Sequence, residues 1–267
     1  MTHRSYLFVP GDRDDRFDKA LAAGADVTVL DLEDAVNPDC KAAAREAIRG
    51  WLARGGRAAV RVNAIGTEWH EADCALLAEP GIALAMLPKA EDPRKLADFA
   101  ARLPAGLPVV PLVETALGIF AARDLARAPG VCQLAFGSVD FQLDTGIEGE
   151  GEELLLARSQ LVLASAAAGI APPVDGVTVA IDDEDRLRAD TLRARRLGFG
   201  GKLCIHPRQV APVHAALAPQ PEEVGRARAI VAAADRAGAG AIRLDGKLID
   251  RPVVERARRV LEMVARP

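Results

Sequence analysis

The sequence predicts an α/β protein, a (β/α)8 TIM barrel followed by a C-terminal helical and hairpin extension. Three observations carry this. Short apolar runs alternate with longer amphipathic, Ala/Arg/Glu-rich stretches along most of the 267 residues. Most of the runs lack period-two alternation, as expected for parallel strands buried on both faces. Their number makes eight strand–helix units in about the length a closed barrel needs. A doubly wound open sheet has the same periodicity, because periodicity by itself does not specify closure.

The predicted strands cover 6–9, 27–32, 58–62, 83–87, 109–113, 133–136, 174–181 and 202–205. Helices are predicted at 13–23, 40–53, 93–102, 117–125, 152–168 and 184–197, with a short one after Ile205. The barrel is assigned to 1–219. After Pro219-Gln220-Pro221 the extension, 220–267, reads as a helix over 222–236, the breaker Gly238-Ala239-Gly240, a hairpin over 241–249 and a last helix over 252–265. Following the eighth unit, it is an appendage placed to cover an active site as a lid or to reach a neighbouring subunit.

Composition narrows the function classes. Half the residues are apolar, enough for one large core, and the net charge of −4 gives no polyanion signal. No nucleic-acid partner is expected. Cys40, Cys74, Cys132 and Cys204 form no CxxC pair, which favours reduced, small buried side chains over zinc or disulfides. The start Met1-Thr2-His3-Arg4-Ser5 lacks a signal-peptide layout, and no apolar run approaches the roughly 20 residues of a membrane span. The expectation is a soluble cytoplasmic protein with no membrane partner.

Chemistry collects where parallel barrel strands end. The second strand runs into Asp31-Leu32-Glu33-Asp34 and the third carries Arg61-Val62-Asn63. The fourth ends in Pro88-Lys89, the fifth in Glu114-Thr115, the sixth in Gly137-Ser138-Val139-Asp140 and the eighth in His206-Pro207. Turns favour Gly, Asn, Asp and Ser, so Glu, Arg, Lys and His on one rim point to a site. Glu114, directly after 109–113, is a helix cap, a buried ion-pair partner or a metal ligand, and Asp140 has the same alternatives. Adjacent strands lie about 4.8 Å apart, so the two carboxylates can share a cation. Two oxygen ligands with open positions suit Mg²⁺. Arg61 can clamp a carboxylate or a developing oxyanion, or pair with Glu33 or Asp34. Lys89 has a Schiff-base reading beside a structural or electrostatic one. His206 is a strand-end cap or a base. The glycine-rich 146–151 lacks the lysine and context of a phosphate loop and reads as a flexible loop.

In this order the motifs resemble the citrate lyase β-subunit family, within the wider group of HpcH/HpaI-type aldolases, malyl-CoA lyases and CLYBL-like enzymes. The matching segments are Arg4 through Gly11, Asp31 through Val36, Arg61-Val62-Asn63, Leu87-Pro88-Lys89, Glu114 through Gly118, Phe136 through Asp140, Gly201 through Pro207 and Asp245 through Asp250. The resemblance implies a carbon–carbon lyase of the oxo-acid-lyase type, with Mg²⁺ on Glu114 and Asp140. It implies a substrate contact from Arg61 and Glu114, and a CoA thioester of the citryl or malyl kind as substrate. A homotrimer or dimer of trimers is implied, with Asp250 completing a neighbour's site as a catalytic proton carrier. Glu33 and Asp34 then orient metal-bound waters or Arg61, while Lys19 and Arg4 are either solvated surface cations, the reading favoured for both, or contacts for the nucleotide end of CoA. An aldolase acting on free 2-keto acids and a subunit served by an acyl-carrier protein are the alternatives.

Overall fold

The computed structural model describes residues 3–238 and 240–265. Met1, Thr2, Ala239, Arg266 and Pro267, which figure in the readings of the N-terminus, the breaker and the tail, lie outside the described residues. The chain divides into two compact units, 1–214 and 215–267.

In the first unit eight parallel strands close in sequence order, β1 pairing with both β2 and β8. They are β1 (Ser5–Pro10), β2 (Val27–Asp31), β3 (Ala58–Arg61), β4 (Ile82–Leu87), β5 (Val109–Val113), β6 (Ala135–Phe136), β7 (Val174–Asp175) and β8 (Gly201–Cys204). Closure excludes the open-sheet alternative. Tyr6, Val29, Ala59, Met86, Val110 and Leu203 are among the buried side chains that pack together as the barrel core. Burying each large apolar side chain contributes about 1.5–3 kcal/mol, which rewards the apolar runs in the sequence.

The outer helices are α1 (Phe17–Leu21), α2 (Lys41–Ala53), α3 (His70–Leu76), α4 (Pro93–Ala101), α5 (Ala116–Leu125), α6 (Ser138–Thr145), α7 (Leu155–Ala168), α8 (Glu184–Leu197) and α9 (Val210–Leu217). Their starts follow capping chemistry. Asp92 accepts the Arg94 N–H at 2.8 Å ahead of Pro93, Thr115 accepts the Gly118 N–H at 3.1 Å, and Asp183 accepts the Arg186 N–H at 2.9 Å.

Three readings need correction. The expected strand 174–181 ends at Asp175, because Val179 and Ile181 are 56% and 41% exposed and have no apolar face to cover. Of 133–136 only Ala135–Phe136 pairs as strand. The helix over 13–23 is a short 3-10 turn, Asp14–Arg16, followed by five residues of α-helix. Two helices had no sequence expectation. α3 is seven residues long, and α6 leaves Val139 and Leu143 exposed, so neither shows an amphipathic stripe.

The second unit contains α10 (Pro221–Ala237), the antiparallel hairpin β9 (Ile242–Leu244) and β10 (Lys247–Ile249), and α11 (Arg251–Ala265). Asp245 and Gly246, at φ 49° and 76°, form the two-residue hairpin turn, which demands left-handed backbone at both positions. Ala227, Ile230, Ile249 and Ala257 form its small core.

Candidate active site

Register places the first pair. Asp31 on β2 lies opposite Arg61 on β3, at the C-terminal ends of both strands. Arg61 Nε and Nη2 donate to Asp31 Oδ1 and Oδ2 at 2.7 and 2.6 Å, a bidentate fork. Its Nη1 lies 2.9 Å from Glu33 Oε2 and 4.0 Å from Asp34, and its guanidinium stacks over Phe8 with Cζ 4.9 Å from the ring centroid. Burial works against the charge, but Asp31, Glu33 and Glu114 outweigh it and hold the Arg61 pKa above its ordinary value. Of the five guanidinium N–H groups these contacts engage three, and the remainder can meet a ligand.

Asp31 is the residue that sequence reasoning left out of the site. It also accepts the N–H groups of Glu33 and Ala35, at 2.9 and 3.2 Å, and so shapes the turn that carries Glu33 and Asp34. Lys41 was missed as well. Buried on α2, its Nζ donates to the carbonyls of Leu32 and Glu33 at 2.8 and 3.0 Å and to Asn63 Oδ1 at 2.7 Å. Its signal was a lysine near the start of an otherwise Ala-rich helix, which reads as surface until the fold buries it.

Glu33 is buried, and no backbone N–H or neutral side chain reaches its carboxylate among the described residues. It is held by two ion pairs, with Arg61 Nη1 2.9 Å from Oε2 and with Lys89, whose Nζ lies 3.4 Å from Oε1. Burial, with help from Asp34 and Asp31, pushes its pKa up to about 7 against the lowering effect of the two cations. Asp34 stands exposed beside it.

Glu114 follows β5 and is 1% exposed. Burial, then the charge of Glu33, then that of Asp140 push its pKa up to about 8, while the Lys89 N–H and Arg61 pull the other way. Lys89 donates its backbone N–H to Glu114 Oε1 at 2.7 Å. Gly137 lets the carboxylate sit this close, since a Cβ there would fall 2.4 Å from Glu114 Oε2. Asp140 occupies the first turn of α6 rather than a strand exit, half-buried, with its charge felt at Glu114. Asp144, one turn further on, accepts the Ala116 N–H at 2.8 Å and ties α6 to the start of α5.

The other expectations divide. His206 is a cap, its Nδ1 accepting the Arg208 N–H at 3.2 Å. Arg4 precedes β1 and pairs with Asp26 just before β2, at the opposite end of the barrel from the rim, so it cannot contact a ligand there. Lys19 does line a cleft of about 310 Å³ with Arg16, Phe8, Pro10 and His206, at the ends of β1 and β8. Asp250 belongs to the second unit, where its Oδ1 accepts the Val253 N–H at 3.4 Å at the start of α11. All four cysteines are free thiols. Among the described residues no three of His, Cys, Asp and Glu converge as a metal cluster, and no helix is long and apolar enough to cross a membrane.

A closed parallel barrel with buried carboxylates and a clamped arginine at its strands' C-terminal ends has the architecture of a barrel enzyme. The chain belongs to the HpcH/HpaI aldolase/citrate lyase family, whose profile matches residues 4–207. That family places it among the carbon–carbon lyases. It is 38% identical to a citrate lyase subunit beta-like protein of Deinococcus radiodurans, covering 97% of this chain and 96% of that one. It is 34% identical to a (3S)-malyl-CoA thioesterase of Cereibacter sphaeroides, over 97% and 93% of the two chains. Among solved structures, CitE from Mycobacterium tuberculosis in complex with magnesium, acetoacetate and coenzyme A superposes with a TM-score of 0.87 at 34% identity, covering 99% and 98%.

Proposed function

We propose that this enzyme makes or breaks a carbon–carbon bond in a 3-hydroxyacyl-CoA thioester of the citryl or malyl type, using Mg²⁺ held by Glu114 and Asp140. The observation that carries the reading is the buried Glu114, raised by Glu33 and Asp140, beside an arginine locked by Asp31. Glu114 is a buried oxygen donor with the charge of Asp140 beside it, and Gly137 cradles it where any Cβ would displace it, so the donor set fits a hard divalent ion. When bound, the ion supplies Lewis-acid polarisation of the substrate's oxygens.

The chain's own residues do the rest. Arg61, its plane fixed by Asp31, presents its remaining N–H groups to the thioester oxygen where negative charge develops. In cleavage water takes the hydroxyl proton, the O–H electron pair forms the keto carbonyl, the carbon–carbon bond breaks, and its electron pair becomes the thioester enolate. Asp250, supplied by a neighbouring subunit of a trimer or dimer of trimers, delivers a proton to the enolate carbon. Arg16 and Lys19 in the cleft beside Phe8 suit the phosphates of CoA. The thioesterase relative supports a second outcome, hydrolysis of the thioester after or instead of cleavage.

A screen of citryl-CoA, malyl-CoA, methylmalyl-CoA and free keto-acid aldols, scored for keto acid and free thiol, tests the reading. Keto acid from a thioester is expected. Turnover of free aldols alone would overturn it, and thiol release without keto acid would leave only the hydrolytic activity.

The metal assignment predicts a pH dependence. Glu114 and Glu33, raised from 4.5 to about 8 and about 7, hold protons in the folded chain that the unfolded chain has released. The metal-free protein therefore loses stability from these groups as pH rises from about 4.5 toward about 8. A cation on Glu114 cancels that loss and displaces its proton. Mg²⁺ is expected to raise the melting temperature more at about pH 8 than at about pH 6, and to release protons at the lower pH. Differential scanning fluorimetry and titration calorimetry in two buffers check this, and a pH-independent shift would contradict it.

A further inference from the structure

We infer that Lys89 is a positioning residue that serves the metal pair through its main chain, not through its ammonium group. The inference rests on the reading of Glu114 as a metal ligand. Lys89 has φ 48°, one of two described non-glycine residues with positive φ, and the other is the hairpin turn residue Asp245. A lysine there is in a sparsely populated conformation, and such strain persists where the surroundings require it.

The requirement is visible in its hydrogen bonds. Pro88 has no N–H, so the first donors after β4 are those of Lys89 and Ala90. Ala90 N–H donates to the Leu112 carbonyl at 3.2 Å, continuing the pairing toward β5. Lys89 N–H donates to Glu114 Oε1 at 2.7 Å. The left-handed residue between them turns the chain so that both donors face β5. One carboxylate oxygen is thereby fixed from the β4 side, while Gly137 on the β6 side permits the other its close approach.

The ammonium has a different address. Lys89 Nζ faces Glu33, and its side chain is 46% exposed. The two parts of the residue are therefore separable by substitution. Glycine and asparagine tolerate left-handed backbone and keep the N–H while losing the charge. Valine and threonine, branched at Cβ, do not tolerate it.

The test is Mn²⁺ binding to the full-length protein, followed by electron paramagnetic resonance, for the parent and for Lys89→Gly, Lys89→Asn, Lys89→Val and Lys89→Thr. Circular dichroism and metal-free melting establish that each variant is folded, and threonine stands in if valine is not. Glycine and asparagine are expected to bind within about threefold of the parent, and the branched variants about tenfold more weakly, the scale of one hydrogen bond to a charged group. If glycine and asparagine weaken binding as much as valine, the charge is the agent and the inference fails. It fails too if all four bind like the parent. A parent that binds no Mn²⁺ overturns the metal reading itself, which is a distinct result.

Discussion

Arg61→Ala is expected to lower turnover by about 10²–10³-fold, the scale of removing one preorganised oxyanion donor. The expectation comes from how the guanidinium is held. Asp31 takes the fork side at 2.6 and 2.7 Å, and the ring of Phe8 backs the plane. The free N–H groups are then aimed before substrate arrives and need no reorganisation during the reaction. Arg61→Lys does not rescue, because an ammonium cannot make the fork with Asp31 and contact the substrate at once. Asp31→Asn keeps the shape but loses the charge-assisted pair, and is expected to lower kcat more than it raises KM. Steady-state kinetics on the thioester that the screen identifies decides this. Arg61→Ala with more than about half the parent kcat/KM would remove Arg61 from the chemistry.

Asp175→Ala is expected to cost about 3–5 kcal/mol of folding stability, the penalty for breaking a buried ion pair from one side. Asp175 is fully buried on β7, where Arg158 Nε donates to Oδ1 at 2.8 Å and Lys202 Nζ stands 3.8 Å from Oδ2. Arg158 and Lys202 are themselves 3% and 1% exposed, so Asp175 sits between two buried cations, with the charge of Asp190 also felt at Lys202. Lys202 also donates to the Gly176 carbonyl at 2.7 Å, and Arg158 to the Glu150 carbonyl at 2.9 Å. Removing Asp175 strands both charges, and burial already lowers the Lys202 pKa. Urea unfolding measures the loss. A change below about 1 kcal/mol would mean that water or the two carbonyls already satisfy the cations.

The buried parallel strands were legible from residue order because burial on both faces leaves apolar runs such as 109–113, while closure of the barrel, which an open sheet's runs would not distinguish, came only with the pairing of β1 and β8. The helices α3 and α6 were not legible, since short, weakly amphipathic segments owe their helicity to what they pack against. α6 matters most here, as it moves Asp140 from a strand exit to the first turn of a helix.

Residue order is enough for an α/β class, for the family, and for a rim that carries Glu33, Arg61, Glu114 and Asp140. The rim follows from apolar runs and the polar residues near their ends, and the family from the order of the motifs. The tertiary structure decided how the rim residues are held. Asp31 meets Arg61 only because β2 and β3 pair in that register, and Lys41 reaches the Glu33 carbonyl only because α2 packs behind the turn. Lys89 reads as a charge in the sequence and as an N–H donor in the fold. Spacing along the chain records which side chains are buried. The direction of a hydrogen bond between strands some 30 residues apart depends on register and backbone angle, which are set only when the barrel closes.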